Sequence, residues 1–328
     1  MDKKTILITG GTGYLGKRLG LALKTEYNVI LAGRNNKLRQ QAQEFTGCQA
    51  LPLDVSSIES VRDLVISTRP EIIIHAAATK FVDIAERQPM ECVDVNVIGS
   101  QNVARVAMDK GVDTVIGIST DKASPPVRNT YGMSKALMER IFCGCNGKNS
   151  TKFLCVRYGN VAWSTGSVLT LWKSMLEKNG VIGTTGPEMR RFFFTVDEAV
   201  QLVLTALRNA DHLQGKVLSR KMKAALMEDI LRVWTQHSGG SWQRIEGRPG
   251  ERNDEYLIGH LEIPYTTELL FDGIPHYLIS FNEKVKKPIE LALSSANAER
   301  LTDAEILDLI NNPPVEEVGV SWHTLATR

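Results

Sequence analysis

Four side chains in one short stretch, "STDKASPPVRNTYGMSK" at 119–135, have the types and spacing to move protons: Asp121, Lys122, Tyr131 and Lys135. Tyr131 and Lys135 stand four apart, so on a helix they share a face, where the ammonium is expected to lower the phenol's pKa while also holding a ribose. The chemistry this pair offers is a phenolate base. Ser119 or Thr120 just ahead would hydrogen-bond the same substrate hydroxyl, completing a site for alcohol oxidation. A Tyr-x-x-x-Lys pair also arises by chance on a solvated helix surface, so its position in the fold decides between the readings.

The elements that must position these groups are strands alternating with helices. Apolar runs at "TILIT", "NVILAG", "QALPLD", "EIIIHAA", "DTVIGIS" and "KFLCVRYG" are separated by stretches long enough for crossover helices. Runs buried on both faces are what a parallel sheet requires, so the fold class is α/β, a doubly wound parallel (Rossmann) sheet. Tyr131 then follows the fifth strand. Beyond Asn160 the pattern loosens into helices near 168–178 and 196–208 and shorter strands at "KVLS", "SWQRIEG" and "PHYLISF". The expected domains are 1–160, binding a dinucleotide; 161–292, smaller and binding substrate, with those two helices able to pack back on the first; and a tail, 293–328. In the tail, Thr302 and Glu305 form a capping box that opens a short amphipathic helix.

Between the first strand and its helix lies "TGGTGYLG", where Gly10, Gly11, Gly13 and Gly16 supply the tight turn and close backbone approach that a bound pyrophosphate needs. A plain structural turn also wants glycine, but its place directly after a first strand favours a cofactor. At the end of the second strand an NAD site usually offers a carboxylate to the ribose. Here Arg34, Asn35 and Lys37 follow instead, and a guanidinium suits a 2′-phosphate, so NADP is expected over NAD. The alternative is that Arg34 is a solvated surface residue. Asp54, closing the third strand, would accept a hydrogen bond from adenine or cap a helix. His75 is expected at the sheet end near the cofactor.

Composition excludes other classes. With 39 basic and 37 acidic side chains and a formal charge of +2, no field implies a nucleic-acid partner. The apolar run in "MDKKTILITGG" is too short for a signal-peptide core and no later stretch approaches a membrane span, so the chain is expected to be cytoplasmic. Five cysteines without C-x-x-C pairing and six scattered histidines predict neither a disulfide frame nor a metal site.

The chain resembles the extended short-chain dehydrogenase/reductases, and within them the inverting UDP-N-acetylglucosamine 4,6-dehydratases. The motifs that carry the likeness, in the family's order, are the glycine loop, "HAAATKFVDIAERQPMECVDVNVIGSQNV", "STDKA", "YGMSK", "VRYGNV", "MRRFFFTVDEAV" and "GRPGERNDE". The likeness runs to about residue 260; "MRRF" and Trp163 depart from the family pattern. It implies that Tyr131 and Lys135, with Thr120, oxidise a sugar's C4 by hydride transfer to NADP. Lys122 would then remove the acidified C5 hydrogen, Asp121 would protonate the departing 6-hydroxyl, and the hydride would return to C6. Tyr14, Leu15, Val55, Ala76, Ala77, Ala78, Lys80 and Asn96 are expected to join the glycines at the cofactor. For the UDP-sugar, Arg191 and Arg248 are candidates for the diphosphate, Glu251 for a ribose, and Asn160 and Lys80 for the hexose side; Glu86 would shape the floor. A homo-oligomer is implied as well. Two other readings stay open: a UDP-hexose 4-epimerase, since related epimerases also carry "STDKA", and a non-catalytic NADP-sensing module, which would typically have lost the tyrosine or its lysine.

Overall fold

The computed structural model describes residues 3–314. Residues 315–328, the end of the expected tail, lie outside the described residues. Strands in chain order are β1 (Thr5–Thr9), β2 (Asn28–Gly33), β3 (Gln49–Pro52), β4 (Ile72–His75), β5 (Thr114–Thr120), β6 (Lys152–Tyr158), β7 (Asn160–Val161), β8 (Val181–Thr184), β9 (Arg190–Phe194), β10 (Val217–Arg220), β11 (Lys223–Leu226), β12 (Ser241–Arg244), β13 (Tyr256–Ile258), β14 (Thr266–Phe271), β15 (Ile274–Ile279) and β16 (Leu293–Ser294). Helices are α1 (Tyr14–Leu23), α2 (Asn36–Thr46), α3 (Ile58–Thr68), α4 (Val82–Arg87), α5 (Pro89–Val93), α6 (Gly99–Lys110), α7 (Thr130–Cys145), α8 (Val168–Asn179), α9 (Val196–Arg208), α10 (Ala210–Leu213), α11 (Met227–Ser238) and α12 (Asp303–Asn311).

The main sheet has nine strands in the order β14-β15-β10-β6-β5-β4-β1-β2-β3. Pairing is parallel from β3 through β10, and antiparallel where β15 joins β10 and β14 joins β15. Alternation along β1 sends Ile6 and Ile8 into one core and Leu7 into the other, so both faces are buried. That is why its sequence is a continuous apolar run. The chain leaves β1 toward β2 on one side and returns as β4 on the other, and such a reversal opens a crevice at the carboxyl ends of the two strands.

The expected division at residue 160 is not a division in space. Strand β10 pairs in parallel with β6, Val217 opposite Cys155, and β15 and β14 extend the sheet further. Helix α9, opened by a Thr195–Glu198 capping box, packs on α1 and β6. The cause is burial: Val217 and Leu218 are fully buried and can be covered on both faces only inside the large sheet.

A second layer holds three small sheets, β11-β9-β7, β12-β8 and β13-β16. Its core gathers Trp163, Trp172 and Trp234 with Ile306 and Ile310 of α12. The capping box at Thr302 and Glu305 forms as the sequence predicts. Helix α12 is therefore packed structure, fastened by ion pairs from Arg232 to Asp303 and Lys223 to Glu305.

Candidate active site

A cavity of about 750 Å³ opens between the carboxyl ends of β1, β4 and β5 and the second layer. On the sheet side its wall is backbone. Gly10 has φ +67°, and a Cβ there would fall 2.6 Å from the Ala77 nitrogen; one at Gly16 would fall 2.5 Å from Gly11 Cα. The turn therefore closes only with glycine. Gly13 caps α1 without any side chain, leaving the amino end of that helix facing the cavity beside Ala76, Ala77 and Ala78. An uncapped helix amino terminus favours an anion. This tight, side-chain-free cradle fits a dinucleotide's pyrophosphate.

The Asp-Lys pair sits on a single 3₁₀ turn, Asp121–Ala123, at the end of β5. Asp121 is fully buried: Oδ1 accepts from the Thr120 hydroxyl at 2.9 Å and from Lys122 Nζ at 3.0 Å, while Oδ2 has no partner among the described residues. Lys122 Nζ also donates to Asn160 Oδ1 at 3.2 Å. Ser119 carries a second buried oxygen without a partner, and it lines the cavity. Helix α7 packs tightly on this turn, since a Cβ on Gly132 would run into the Lys122 carbonyl. The helix start is held twice, by Asn129 Oδ1 accepting from Gly132 N–H at 2.7 Å and by Glu86 Oε1 accepting from Thr130 N–H. Glu86 thus caps the tyrosine helix.

Tyr131, Lys135, Lys122 and Thr120 all line the one cavity. Burial, and then the Asp121 carboxylate, push the Tyr131 phenol well above its ordinary pKa. Burial pulls Lys135 down to about 8. Its Nζ lies 3.2 Å from Met138 Sδ, so Lys135 does not hold the phenol down as the sequence suggests. Both shifts have the same leading cause, the loss of water from a charged form. His75 is fully buried at the end of β4 between the Thr9 and Ser100 hydroxyls, at 2.8 and 3.1 Å, and belongs to the sheet.

Of the other expected residues, Tyr14, Leu15, Lys80, Asn160, Arg191, Arg248 and Glu251 line the cavity. Arg191 donates to the carbonyls of Arg190 and Asn253 at 2.8 and 3.1 Å, and Glu251 accepts from the Arg248 N–H at 3.0 Å. Arg34, Asn35, Lys37, Asp54, Val55 and Asn96 do not line it, nor does the fully buried Asp121. Arg34 is exposed past β2, 3.9 Å from Glu91. Asn35 caps α2, accepting from Leu38 N–H at 3.0 Å. Burial works against the Asp54 carboxylate, but two hydrogen bonds from Ser56 and the charge of Arg34 hold it below its ordinary pKa. Asn96 spends its amide on Thr79 and Ser134, which fixes the loop after β4 against α7.

Three residues outside the expected set carry much of the geometry. Arg157, fully buried on β6, forks onto Glu139 of α7 at 2.7 and 2.9 Å and onto Glu262 at 2.8 Å through both terminal nitrogens. Glu262 also accepts from Ser124 at 2.8 Å, so the same network anchors the loop after Lys122. Glu255 reaches within 3.9 Å of Lys122 Nζ. Trp163 adopts φ +60° and donates its indole N–H to the Leu309 carbonyl of α12 at 2.7 Å, while the neighbouring Ala162 carbonyl accepts from the Tyr14 hydroxyl at 3.2 Å. The signals were present in "VRYGNV", "GRPGERNDE" and the unusual Trp163, but a motif does not reveal what its charged members pair with.

Comparison with known proteins agrees with this geometry. A family model described as polysaccharide biosynthesis protein matches residues 6–270. The inverting UDP-N-acetylglucosamine 4,6-dehydratase of Campylobacter jejuni is 30% identical over 95% of this chain and 94% of its own length. A UDP-glucose 4-epimerase of Rickettsia bellii is 32% identical, covering 94% and 96%. The solved structure of Pen from Bacillus thuringiensis superposes with a TM-score of 0.87 at 28% identity, covering 95% of this chain and 98% of the other.

Proposed function

Since the chain belongs to the polysaccharide biosynthesis protein family of extended short-chain dehydrogenase/reductases, we propose that it is a nucleotide-sugar 4,6-dehydratase, NADP-dependent and acting on UDP-N-acetylglucosamine or a close UDP-hexose. The observation that carries this reading is a second acid–base pair beside the first: Tyr131 and Lys135 line the cavity together with Lys122, whose Nζ donates at 3.0 Å to Asp121 buried behind it. Oxidation of an alcohol needs only the first set. The second suits an elimination.

A nicotinamide bound beside the glycine turn supplies a reversible acceptor for the hydrogen and electron pair of C4, which return at C6, so the net redox change is zero. Tyr131 receives the 4-hydroxyl proton. To do so it must already be a phenolate, a form that burial and the Asp121 carboxylate disfavour, so the phenol proton has to leave before the transfer. The buried Ser119 hydroxyl, without a partner among the described residues, is the donor at hand for the sugar oxygen, since that of Thr120 donates to Asp121. The resulting 4-ketone acidifies C5, whose proton passes to Lys122 while Asp121 protonates the departing 6-hydroxyl. Arg191 and Arg248 suit a diphosphate and Glu251 a ribose, all on the second-layer wall. NADP is favoured over NAD by the exposed Arg34 guanidinium past β2, in the absence of a carboxylate on the residues directly following that strand.

A second reading, UDP-hexose 4-epimerase, is supported by the Rickettsia bellii relative; it would use Tyr131 and Lys135 and leave Lys122 without an elimination to serve. Mass spectrometry after incubation with UDP-N-acetylglucosamine separates them: loss of one water is expected. An unchanged mass with inverted stereochemistry would install the epimerase instead, and no change with any UDP-hexose would end both readings. Lys122→Ala should abolish water loss yet leave slow reduction of bound cofactor by substrate.

A further inference from the structure

Three oxygens surround Lys122 Nζ: Asp121 Oδ1 at 3.0 Å, Asn160 Oδ1 at 3.2 Å and Glu255 Oε1 at 3.9 Å. The third comes from far along the chain, just ahead of β13, and is firmly mounted. Glu255 is only 3% exposed. Its Oε2 accepts from Arg252 Nε at 2.6 Å, its N–H donates to Ser295 Oγ at 3.0 Å, and its carbonyl accepts from the Ser295 N–H at 2.8 Å. Arg252 Nη1 in turn donates to the Pro126 carbonyl at 2.8 Å, in the loop that follows the Asp-Lys turn. One carboxylate oxygen is therefore spent on a guanidinium, and the other faces the lysine.

We propose that Glu255, clamped by Arg252 and Ser295, is a positioning residue for Lys122 in the elimination. The inference rests on the dehydratase reading and deepens it. Lys122 first passes a proton to Asp121 across their 3.0 Å hydrogen bond; the C5–H bond then breaks and an N–H bond forms on the neutral Lys122, the C–H electron pair becomes the C5=C6 bond, the C6–O bond breaks, and the proton now on Asp121 leaves with the oxygen as water. Asp121 thus changes charge during the step and cannot be the constant partner of the amine. Asn160 contributes only a dipole. Glu255, paired with Arg252, takes no part in the proton exchange, so its Oε1 draws the new ammonium of Lys122 and holds it in place until the proton returns to C5. A displacement of about 1 Å in such a group costs on the order of a hundredfold in rate.

The test is single-turnover reaction with UDP-N-acetylglucosamine in D₂O, following cofactor reduction by absorbance and water loss with deuterium at C5 by mass spectrometry. Glu255→Gln should reduce cofactor within about twofold of the parent rate while water loss and C5 labelling fall about a hundredfold. Glu255→Asp, which keeps the charge, should recover part of that loss. Arg252→Lys should give an intermediate loss, and it carries the test if Glu255→Gln does not fold. If the parent enzyme itself loses no water, the dehydratase reading fails. If the parent does but the variants slow oxidation and elimination equally, or slow neither, Glu255 is structural and the positioning role is overturned.

Discussion

The two walls of the cavity are built by different means. Toward β1 and β4 the wall is backbone: Gly10 and Gly16 admit no Cβ, and Gly13 leaves α1 without a side-chain cap. Toward the second layer it is side chains, among them Arg191, Arg248, Glu251 and Glu255, with charge pairs behind them: Arg157 joins Glu139 to Glu262, Arg190 pairs with Asp254, and Arg252 grips Glu255. A cradle of main chain can receive a cofactor whose chemistry is always the same. A wall of paired charges can be re-cut for a particular sugar, at the cost of needing every partner in place.

That contrast predicts unequal consequences. The largest is expected on the charged side: Arg157→Met leaves the Glu139 and Glu262 carboxylates buried and unpaired, and should cost about 3–5 kcal/mol of unfolding free energy by denaturant titration. An effect under about 1 kcal/mol would mean the network is not what joins α7 to the Glu262 turn.

Next is an acid response from the sheet side. Burial, and then the Lys135 ammonium, lower His75 to about 3, whereas in the unfolded chain the imidazole titrates near its ordinary 6.5. Between those values the unfolded state binds the extra proton, so stability rises with pH, by at most about 1.4 kcal/mol per pH unit from this group. Stability should fall on acidification from about 6.5 toward 3. His75→Gln should flatten that slope, and an unchanged slope would assign it to other groups.

The smallest effect tests the one side chain the backbone wall is proposed to borrow. Arg34→Ala should weaken NADP binding by about ten- to a hundredfold while leaving NAD nearly unchanged, because a charge-assisted bond to a 2′-phosphate contributes about 1.5–3 kcal/mol. Equal weakening of both in a binding titration would remove the preference for NADP.

The same contrast explains what could be read from sequence. The glycine turn, the buried strands and α9 are local: each is written in one contiguous stretch whose period or glycine spacing states its geometry. Lys122 and Tyr131 were legible because the same strand end and the helix after it carry them. The third partner of Lys122, Glu255, was not, since it lies far along the chain and reaches the lysine only through a fold that returns β13 and β16 to the Asp-Lys turn. The return of β10, β14 and β15 to the large sheet was hidden for a similar reason, because short apolar strands do not name their neighbours. Trp163 looked anomalous in isolation; its partner, the Leu309 carbonyl, lies in the helix whose place in the fold the sequence left open.

The central claim is that one cavity both oxidises C4 and eliminates across C5 and C6, with the hydrogen of C4 kept within the enzyme. Its most direct test is UDP-N-acetylglucosamine deuterated at C4. The product should be a 4-keto-6-deoxy sugar carrying the label at C6, whereas label that stays at C4 or is lost to solvent would contradict the account.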